Sequence, residues 1–433
     1  AAAALGEAAA PRSGGPAAGQ GEAEEHEEAA GAAPEPVGVA GGQGEAGQCA
    51  EGEHSSAAGG GCSAPLRWRA APYGGSGRSI YGGAFTAAVF AESGFHGPVV
   101  GDDWDLLFTH FSMAQKLVAT GLPPRPGQAR LVNHCDYFRA AGHKCRLARH
   151  ISNVQRILQG EVRSRPRHLQ VYELQKAQQA DAWGQALRAE PGRRWLLKPC
   201  TAAHSKGIRL VHGAEAEEAL RQARGTWVVA QEYVERPYMG FGGRKFHLRL
   251  YVLVTRWQPT GALLYDEGLV FRSRHAYKPE RFSGARDIFS GISKDVEALA
   301  LAALWRELGP EGAAAVRGRL LRLLAEVLGA GVRETFGDAG LLDERGFSCF
   351  DLFGADVMLD EALQPLLMEV NVGPDLWVDT HGAEHMPQLL AVKAPLMQQL
   401  ARWAALRIQR PLLTQLEAEG IESETLTNFS RIL

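Results

Sequence analysis

Between Ser348 and Trp377 the chain reads SCFDLFGADVMLDEALQPLLMEVNVGPDLW, and three of its polar residues have the types and spacing of a metal site. Glu369 and Asn371 stand two apart in an apolar run, so on a strand they share a face. An antiparallel partner strand before the Asp360-Glu361 turn brings Asp356 to the same side. Two carboxylates and an amide converging on one point are hard oxygen ligands. They suit Mg²⁺, which takes one or two carboxylates from a protein and completes its shell with water and nucleotide phosphates. A solvated hairpin face is the plainer alternative. Glu369 argues against it, because a charge inside an otherwise apolar strand is costly without a partner.

The cations that such a site needs lie upstream. In GFGGRKFHLRLYVLV, residues 240–254, period two puts Lys245, His247, Arg249 and Tyr251 on one face of a strand and Phe246, Leu248 and Leu250 on the other. A row of cationic or titratable groups has to meet water or anions, which points to a phosphate-facing cleft. Arg272, on the strand after a Pro259-Thr260-Gly261 turn, is expected to join this row, and His247 brings a group that titrates near neutrality. Farther upstream, RRWLLKPCTAAHSKGIRLVH (193–212) reads as strand, small-residue loop and strand, with Lys198 and Lys206 at the two ends of the loop. Such a loop lets backbone N–H groups approach phosphates, although a plain hairpin loop has the same composition. Neither a P-loop nor a dinucleotide glycine fingerprint is present. After a strand at Val228-Val229-Ala230, Gln231 to Val234 read as an extended linker. It could meet an adenine edge, with Gln231 or Tyr233 orienting the base, or simply join two lobes.

These residues need a scaffold, and 433 residues with 45% hydrophobic content suffice for two or three domains. No apolar run reaches membrane-spanning length, and the opening lacks the pattern of a signal peptide, so neither is expected. Residues 1–63 hold ten Glu, one basic residue and almost no large apolar side chain, and are expected to be a disordered acidic tail. The remaining residues carry 45 basic against 39 acidic groups, a cationic balance that would draw nucleic acid or an acidic polypeptide tail. Six cysteines without a C-x-x-C pair argue against structural zinc and read as reduced thiols of a cytosolic or nuclear protein. Apolar clusters with Gly and Pro punctuation from Leu66 to Arg130 suggest a small α/β lobe, and Ala141 to Gln159 a helix with a basic face. Residues 280–296 read as a loop, and 296–335 as helix broken at Gly309-Pro310. Pro387 to Ala418 reads as helix interrupted at Pro395 and Pro411.

In order and spacing, the Lys198-to-Lys206 element, AQEYVERP, GGRKFHLRLYVLV, FDLFGADVML and LLMEVNVGPDLW, preceded by VNHCDYFRAAGHK, resemble the tubulin–tyrosine ligase-like family. The phrase RKFHLR is most similar to its fungal, plant and algal branch. The resemblance implies an α+β ATP-grasp fold, with two α+β lobes sandwiching ATP behind a small N-terminal α/β domain. The implied boundaries are a tail at 1–63, an N-terminal domain at 64–135, a central ATP-grasp domain at 136–235 and a C-terminal one at 236–433. Carried over by position, Lys198, Lys206 and Lys245 contact ATP phosphates, and Gln231 and Tyr233 the adenine. Lys245, Arg249 and Arg272 face the γ-phosphate, acyl group or acceptor, while Asp356, Glu369 and Asn371 hold Mg²⁺. The implied reaction joins a free amino acid to a protein carboxylate through an acyl phosphate. The expected acceptor is the acidic C-terminal tail of tubulin, met by a cytoplasmic, cytoskeleton-associated monomer with no membrane or nucleic-acid partner. Tyrosine is expected over glutamate because 62 residues follow Asn371, too few for a large cationic extension. An ATP-grasp ligase acting on another substrate and an inactive binding protein are the alternatives. Two departures from the family pattern stand out: His247 occupies a position where tyrosine ligases place Asp, and ARDIFSGISKDV lacks the family's His-Leu-Thr-Asn element.

Overall fold

The computed structural model describes residues 65–70, 83–110, 114, 130–135, 168–200, 207–226, 228–257, 259–278, 295–336, 348–378, 383–410 and 415–433. All of them lie in one compact unit spanning residues 63–433. The acidic tail, the basic-faced helix of 141–159, most of the Lys198-to-Lys206 loop and nearly all of the 283–295 segment fall outside the described residues.

Short apolar strands build the first sheet: β1 (Leu66–Arg69), β2 (Phe95–His96), β3 (Leu106–Leu107) and β4 (Leu131–Val132). They run parallel in the order β4-β3-β1-β2, and α1 (Ala84–Glu92) packs Phe90 edge-on to Trp68 at 4.8 Å between ring centroids. These elements lie in the stretch where a small α/β lobe is expected. Ser348–Cys349, from far later in the chain, pairs parallel with β4. That pairing sets Cys349 beside Val132 and brings Cys135 within disulfide reach, with the two Cα atoms 5.4 Å apart. The reduced-thiol expectation is therefore corrected: Cys135 and Cys349 form a disulfide, which a separation of 214 residues concealed from any local pattern.

The second sheet is antiparallel, with β5 (Val171–Glu173), β6 (Trp195–Pro199), β7 (Arg209–Val211) and β8 (Val228–Glu232) in the order β5-β8-β6-β7. Helix α2 (Ala177–Ala189) buries Ala180, Trp183, Gly184 and Leu187, the spacing of one helical face. With α3 (Gly213–Ala223) it packs on Trp195, Leu197 and Ala230. The alternate residues of the same strands face the other way, so Lys198, Val229 and Gln231 share the opposite surface.

The third sheet is the largest. β9 (Arg244–Trp257) and β10 (Thr260–Ala276) form a long hairpin, flanked by β11 (Val296–Ala300) on one side. After β12 (Ser348–Cys349), the hairpin of β13 (Asp351–Leu359) and β14 (Pro365–Val372) extends the other side, and β15 (Phe429–Arg431) pairs with β10. Helix α4 (Ala302–Phe336) covers one face, where Leu304, Leu320 and Leu323 meet Phe246, Leu248 and Leu250. Helix α5 (Met386–Gln409) covers the other with Leu389, Val392 and Leu396 against Tyr251, Leu253 and Leu352, and α6 (Gln415–Thr425) follows it. Two expectations change here. Val296–Ala300 is a strand rather than the start of a helix, because it hydrogen-bonds along β10 and buries Val296 and Ala298. Pro395 does not interrupt α5, whose flanking Leu396 and Val392 anchor it to the sheet. The break at Gly309 (φ +68°) before Pro310 is as expected.

Candidate active site

The α5-facing side of the third sheet carries the row read from the sequence. Lys245, His247 and Arg249 alternate along β9 with Phe246, Leu248 and Leu250, which are buried under α4. The next strand pairs Asp356 with Arg249, and β14 in turn pairs Glu369 with Asp356 and Asn371 with Gly354. Cross-strand partners point to one side, so the three expected metal ligands and Arg249 meet. Arg249 donates Nε and Nη2 to the two oxygens of Asp356 at 2.6 and 3.1 Å. Asn371 donates Nδ2 to Asp356 Oδ2 at 3.1 Å and to the Gly354 carbonyl at 3.3 Å.

Gly354 makes this crossing possible. A Cβ there would lie 2.9 Å from Pro374 Cβ and 3.0 Å from Arg249 Cδ, so only glycine lets the arginine pass under the proline to reach Asp356. The arginine and the carboxylate are both buried. Burial pushes the Asp356 carboxyl up, but Arg249, His247 and Asn371 outweigh it and hold the group below the usual carboxylate range. Burial likewise opposes the charge on Arg249, and Asp356 more than restores it.

The second sheet presents its own polar groups to this face. Lys198 is 6% exposed and donates Nζ to Gln231 Oε1, while Gln231 Nε2 donates to the Met368 carbonyl of β14 at 3.3 Å. Val171, Val229 and Cys200 on that sheet pack against Met358 and Leu366 on the other. Lys198 and Gln231 thus lie where two sheets close over the Lys245-to-Arg249 row.

Tyr233 and His247 take parts that the sequence did not suggest. Tyr233 is 2% exposed, accepts a hydrogen bond from Lys245 Nζ at 2.9 Å, and shares one with Tyr277 Oη at 3.0 Å. Its ring also meets Arg194 at 5.0 Å and Lys245 at 4.4 Å. Tyr233 therefore links Lys245 to Tyr277. His247 is buried, and desolvation pushes it down to about 4, with Arg249, Lys245 and Lys198 adding to the effect and Asp356 opposing it. It is neutral at pH 7, which corrects the expectation of a group titrating near neutrality.

Arg272 does not join the row. Its cross-strand partner is Phe246, whereas Phe271 is the residue opposite His247, so Arg272 points to the α4 side. There it donates to Glu297 at 2.6 and 3.0 Å and lies over the Phe241 ring at 5.2 Å. Lys206 falls outside the described residues.

Among the described residues, no cluster of three or more His, Cys, Asp or Glu side chains could hold a metal by itself. The donor set of Asp356, Glu369 and Asn371 nevertheless fits Mg²⁺, which needs few protein oxygens when phosphates supply the rest. Asn371 turns its amide N–H groups to Asp356 and Gly354, which leaves Oδ1 as the amide's acceptor atom on the face shared with Glu369. One further buried charge adjoins the site. Lys393 of α5 donates Nζ to the Trp377 carbonyl and lies 3.9 Å from Asp375 Oδ2. Burial pushes it down to about 8, with Asp375 opposing and Arg249 reinforcing the shift.

Two sheets that close over cations and carboxylates in this way define the ATP-grasp fold. The C-terminal domain of Kluyveromyces lactis Pby1, described as an ATP-grasp enzyme interacting with the mRNA decapping enzyme Dcp2, superposes with a TM-score of 0.54. The match covers 85% of this chain and 99% of that one at 18% identity. The chain belongs to the tubulin-tyrosine ligase family, whose pattern it matches over residues 126–288 and 342–400. It is 29% identical over 215 residues to the tubulin monoglutamylase TTLL4 of Mus musculus, covering 45% of this chain and 17% of that protein. It is 30% identical over 202 residues to the probable tubulin polyglutamylase ttll-9 of Caenorhabditis elegans, covering 42% and 46%. With the tubulin polyglutamylase ttll-4 of the same organism it shares 28% over 301 residues, covering 64% and 46%. The chain thus spans less than half the length of these relatives. No helix among the described residues is long and apolar enough to cross a membrane.

Proposed function

We propose that the protein is an ATP-dependent ligase that joins the amino group of a free amino acid to a carboxylate of an acidic polypeptide tail, with tubulin as the acceptor. The observation that carries this reading is the meeting of Lys198, Lys245 and Arg249 with Asp356, Glu369 and Asn371 in one cleft between the sheets. The acceptor carboxylate attacks the γ-phosphorus of ATP and ADP leaves. The incoming amine then attacks the acyl carbon, releasing inorganic phosphate and forming the amide. Mg²⁺, when bound, neutralises the phosphate charge that both steps redistribute. Asp356, Glu369 and Asn371 are the residues that would hold it.

The chain's own contribution is positioning and charge. Lys198 and Lys245 reach the phosphates, Gln231 fixes Lys198 to β14, and Tyr233 with Tyr277 aims Lys245. Arg249 places a permanent charge beside the metal ligands, and neutral His247 adds no further cation to the row. The names of the relatives make glutamate, rather than the tyrosine expected from chain length, the first amino acid to test. An acidic tail as acceptor also suits the net positive charge of residues 64–433, and places the enzyme at microtubules.

The test is incubation of the protein with Mg-ATP, tubulin and each amino acid in turn, followed by mass spectrometry of the tubulin tails. Incorporation of one amino acid with matching ADP release is expected. Glu369→Gln, which keeps shape but removes a metal ligand, should abolish both while leaving the thermal midpoint in place. No incorporation of any amino acid, or full turnover by Glu369→Gln, would overturn the reading.

A further inference from the structure

Helix α5 meets the sheet through an apolar stripe of Leu389, Val392, Leu396, Met397 and Leu400, and Lys393 stands within it at 2% exposure. A lysine there is expensive. An ammonium removed from water needs close acceptors, and a methionine would fill a similar volume without that cost. Both of its partners come from one short stretch, residues 373–377: the Trp377 carbonyl accepts its hydrogen bond and the Asp375 carboxylate lies at ion-pair distance. That stretch is the exit of β14 and begins two residues after Asn371. A Cβ on Gly354 would meet both Pro374 of this stretch and Arg249, so these two residues crowd the same face of that glycine beside Asp356. The link therefore runs from Lys393 to Asp375 and Trp377, through the adjoining Pro374 to the space over Gly354 that Arg249 shares, and from Arg249 to Asp356 and Asn371.

We propose that Lys393 is a positioning residue of the cleft, pinning the 373–377 loop so that Pro374 and Gly354 keep Arg249 against Asp356 and Asn371. The role rests on the ligase reading only where turnover is concerned, since the pinning itself is a property of the fold. Replacing a lysine with a merely structural role would change stability and turnover together. A positioning lysine separates stability from turnover, because replacing it by methionine removes a buried charge and releases the loop at once.

The experiment compares the wild-type protein with Lys393→Met and Lys393→Arg. In Lys393→Met, hydrogen exchange of the peptide spanning 370–378 should speed up about tenfold, while strands β9 and β10 keep wild-type protection. The thermal midpoint should stay level or rise. Mg-ATP turnover should fall about tenfold or more, as expected when a reacting group is misplaced, with nucleotide affinity within about threefold. Lys393→Arg should recover part of the turnover. Unchanged exchange at 370–378, or a thermal midpoint that falls in step with turnover, would overturn the proposal. If the wild-type protein ligates nothing, the ligase reading fails, and the exchange and melting measurements still decide whether Lys393 pins the loop.

Discussion

Two arginines on neighbouring strands show what each side of the central sheet is for. Arg249 and Arg272 each pair with one carboxylate, Asp356 and Glu297 respectively, at comparable distances. Arg249 lies on the α5 side, its side chain 10% exposed, with Asn371, His247 and Lys245 around the pair. Arg272 lies on the α4 side, its side chain 19% exposed, with only the Phe241 ring and a second arginine, Arg244, sharing Glu297 among the described contacts. A buried pair embedded in further polar groups is costly to build and costlier to break, whereas a partly solvated pair contributes little. The difference separates a buried pair within a polar cluster from a partly exposed pair of the same residue types.

The sharpest way to break the comparison is Arg249→Met. It leaves Asp356 buried with only Asn371 as a direct donor among its described contacts, and removing one member of such a pair costs about 3–5 kcal/mol. Chemical denaturation should show a loss of that size, and turnover should disappear. The double variant Arg249→Met, Asp356→Leu should recover much of the stability and none of the activity. If Arg249→Met unfolds no more easily than the wild type, the pair does not organise the cleft.

His247 gives the next largest effect, and its sign follows from where its proton goes. The unfolded chain protonates this imidazole near its ordinary 6.5, while the folded protein resists until about 4. Between those values the unfolded state binds the extra proton, so acidification through 6.5 towards 4 favours unfolding. The loss approaches about 3 kcal/mol at the acid end, at ~1.4 kcal/mol per unit, and nothing is lost above 6.5. His247→Asn, which cannot take up that proton, should be relatively more stable than the wild type at pH 4.5 than at pH 7. Parallel urea transitions at the two values measure this, and a constant gap between the proteins would show that His247 titrates normally.

The site-bearing face was legible wherever the pattern is local. The hairpin of β13 and β14 and the row from Lys245 to Arg249 follow from period two and a turn, and Glu369, Asn371 and Asp356 meet as that arithmetic requires. Arg272 was not legible. Its side depends on the register between β9 and β10, and irregularities between Gly261 and Ala262 and between Leu264 and Gly268 shift that register. In a strand a shift of one residue turns every side chain over. Lys393 left no signal in the sequence, since a lysine on an apolar helix ordinarily keeps its charge in water and only the returning 373–377 loop shows that this charge is inside. Tyr233 reads as a linker aromatic because its partners, Lys245 and Tyr277, are 12 and 44 residues away. Gly354 did leave a signal, since a glycine in the middle of a buried strand marks a close approach, here by Arg249 and Pro374.

Arg272→Met is the smallest expected effect and the one that sharpens the comparison most. The change removes a partly exposed ion pair and a contact with the Phe241 ring, together worth about 1 kcal/mol, while the methionine keeps the stem packed. Glu297 is not stranded, because Arg244 Nη1 lies 3.4 Å from the same carboxylate oxygen. Stability should therefore fall by no more than about 1 kcal/mol, and Mg-ATP turnover should stay within about threefold of the wild type, far from the loss expected for Arg249→Met. A variant that folds normally yet has no turnover would place Arg272 among the catalytic groups. That outcome would require β10 to present its other face to the cleft, with Phe271 displaced from its position 5.2 Å from His247.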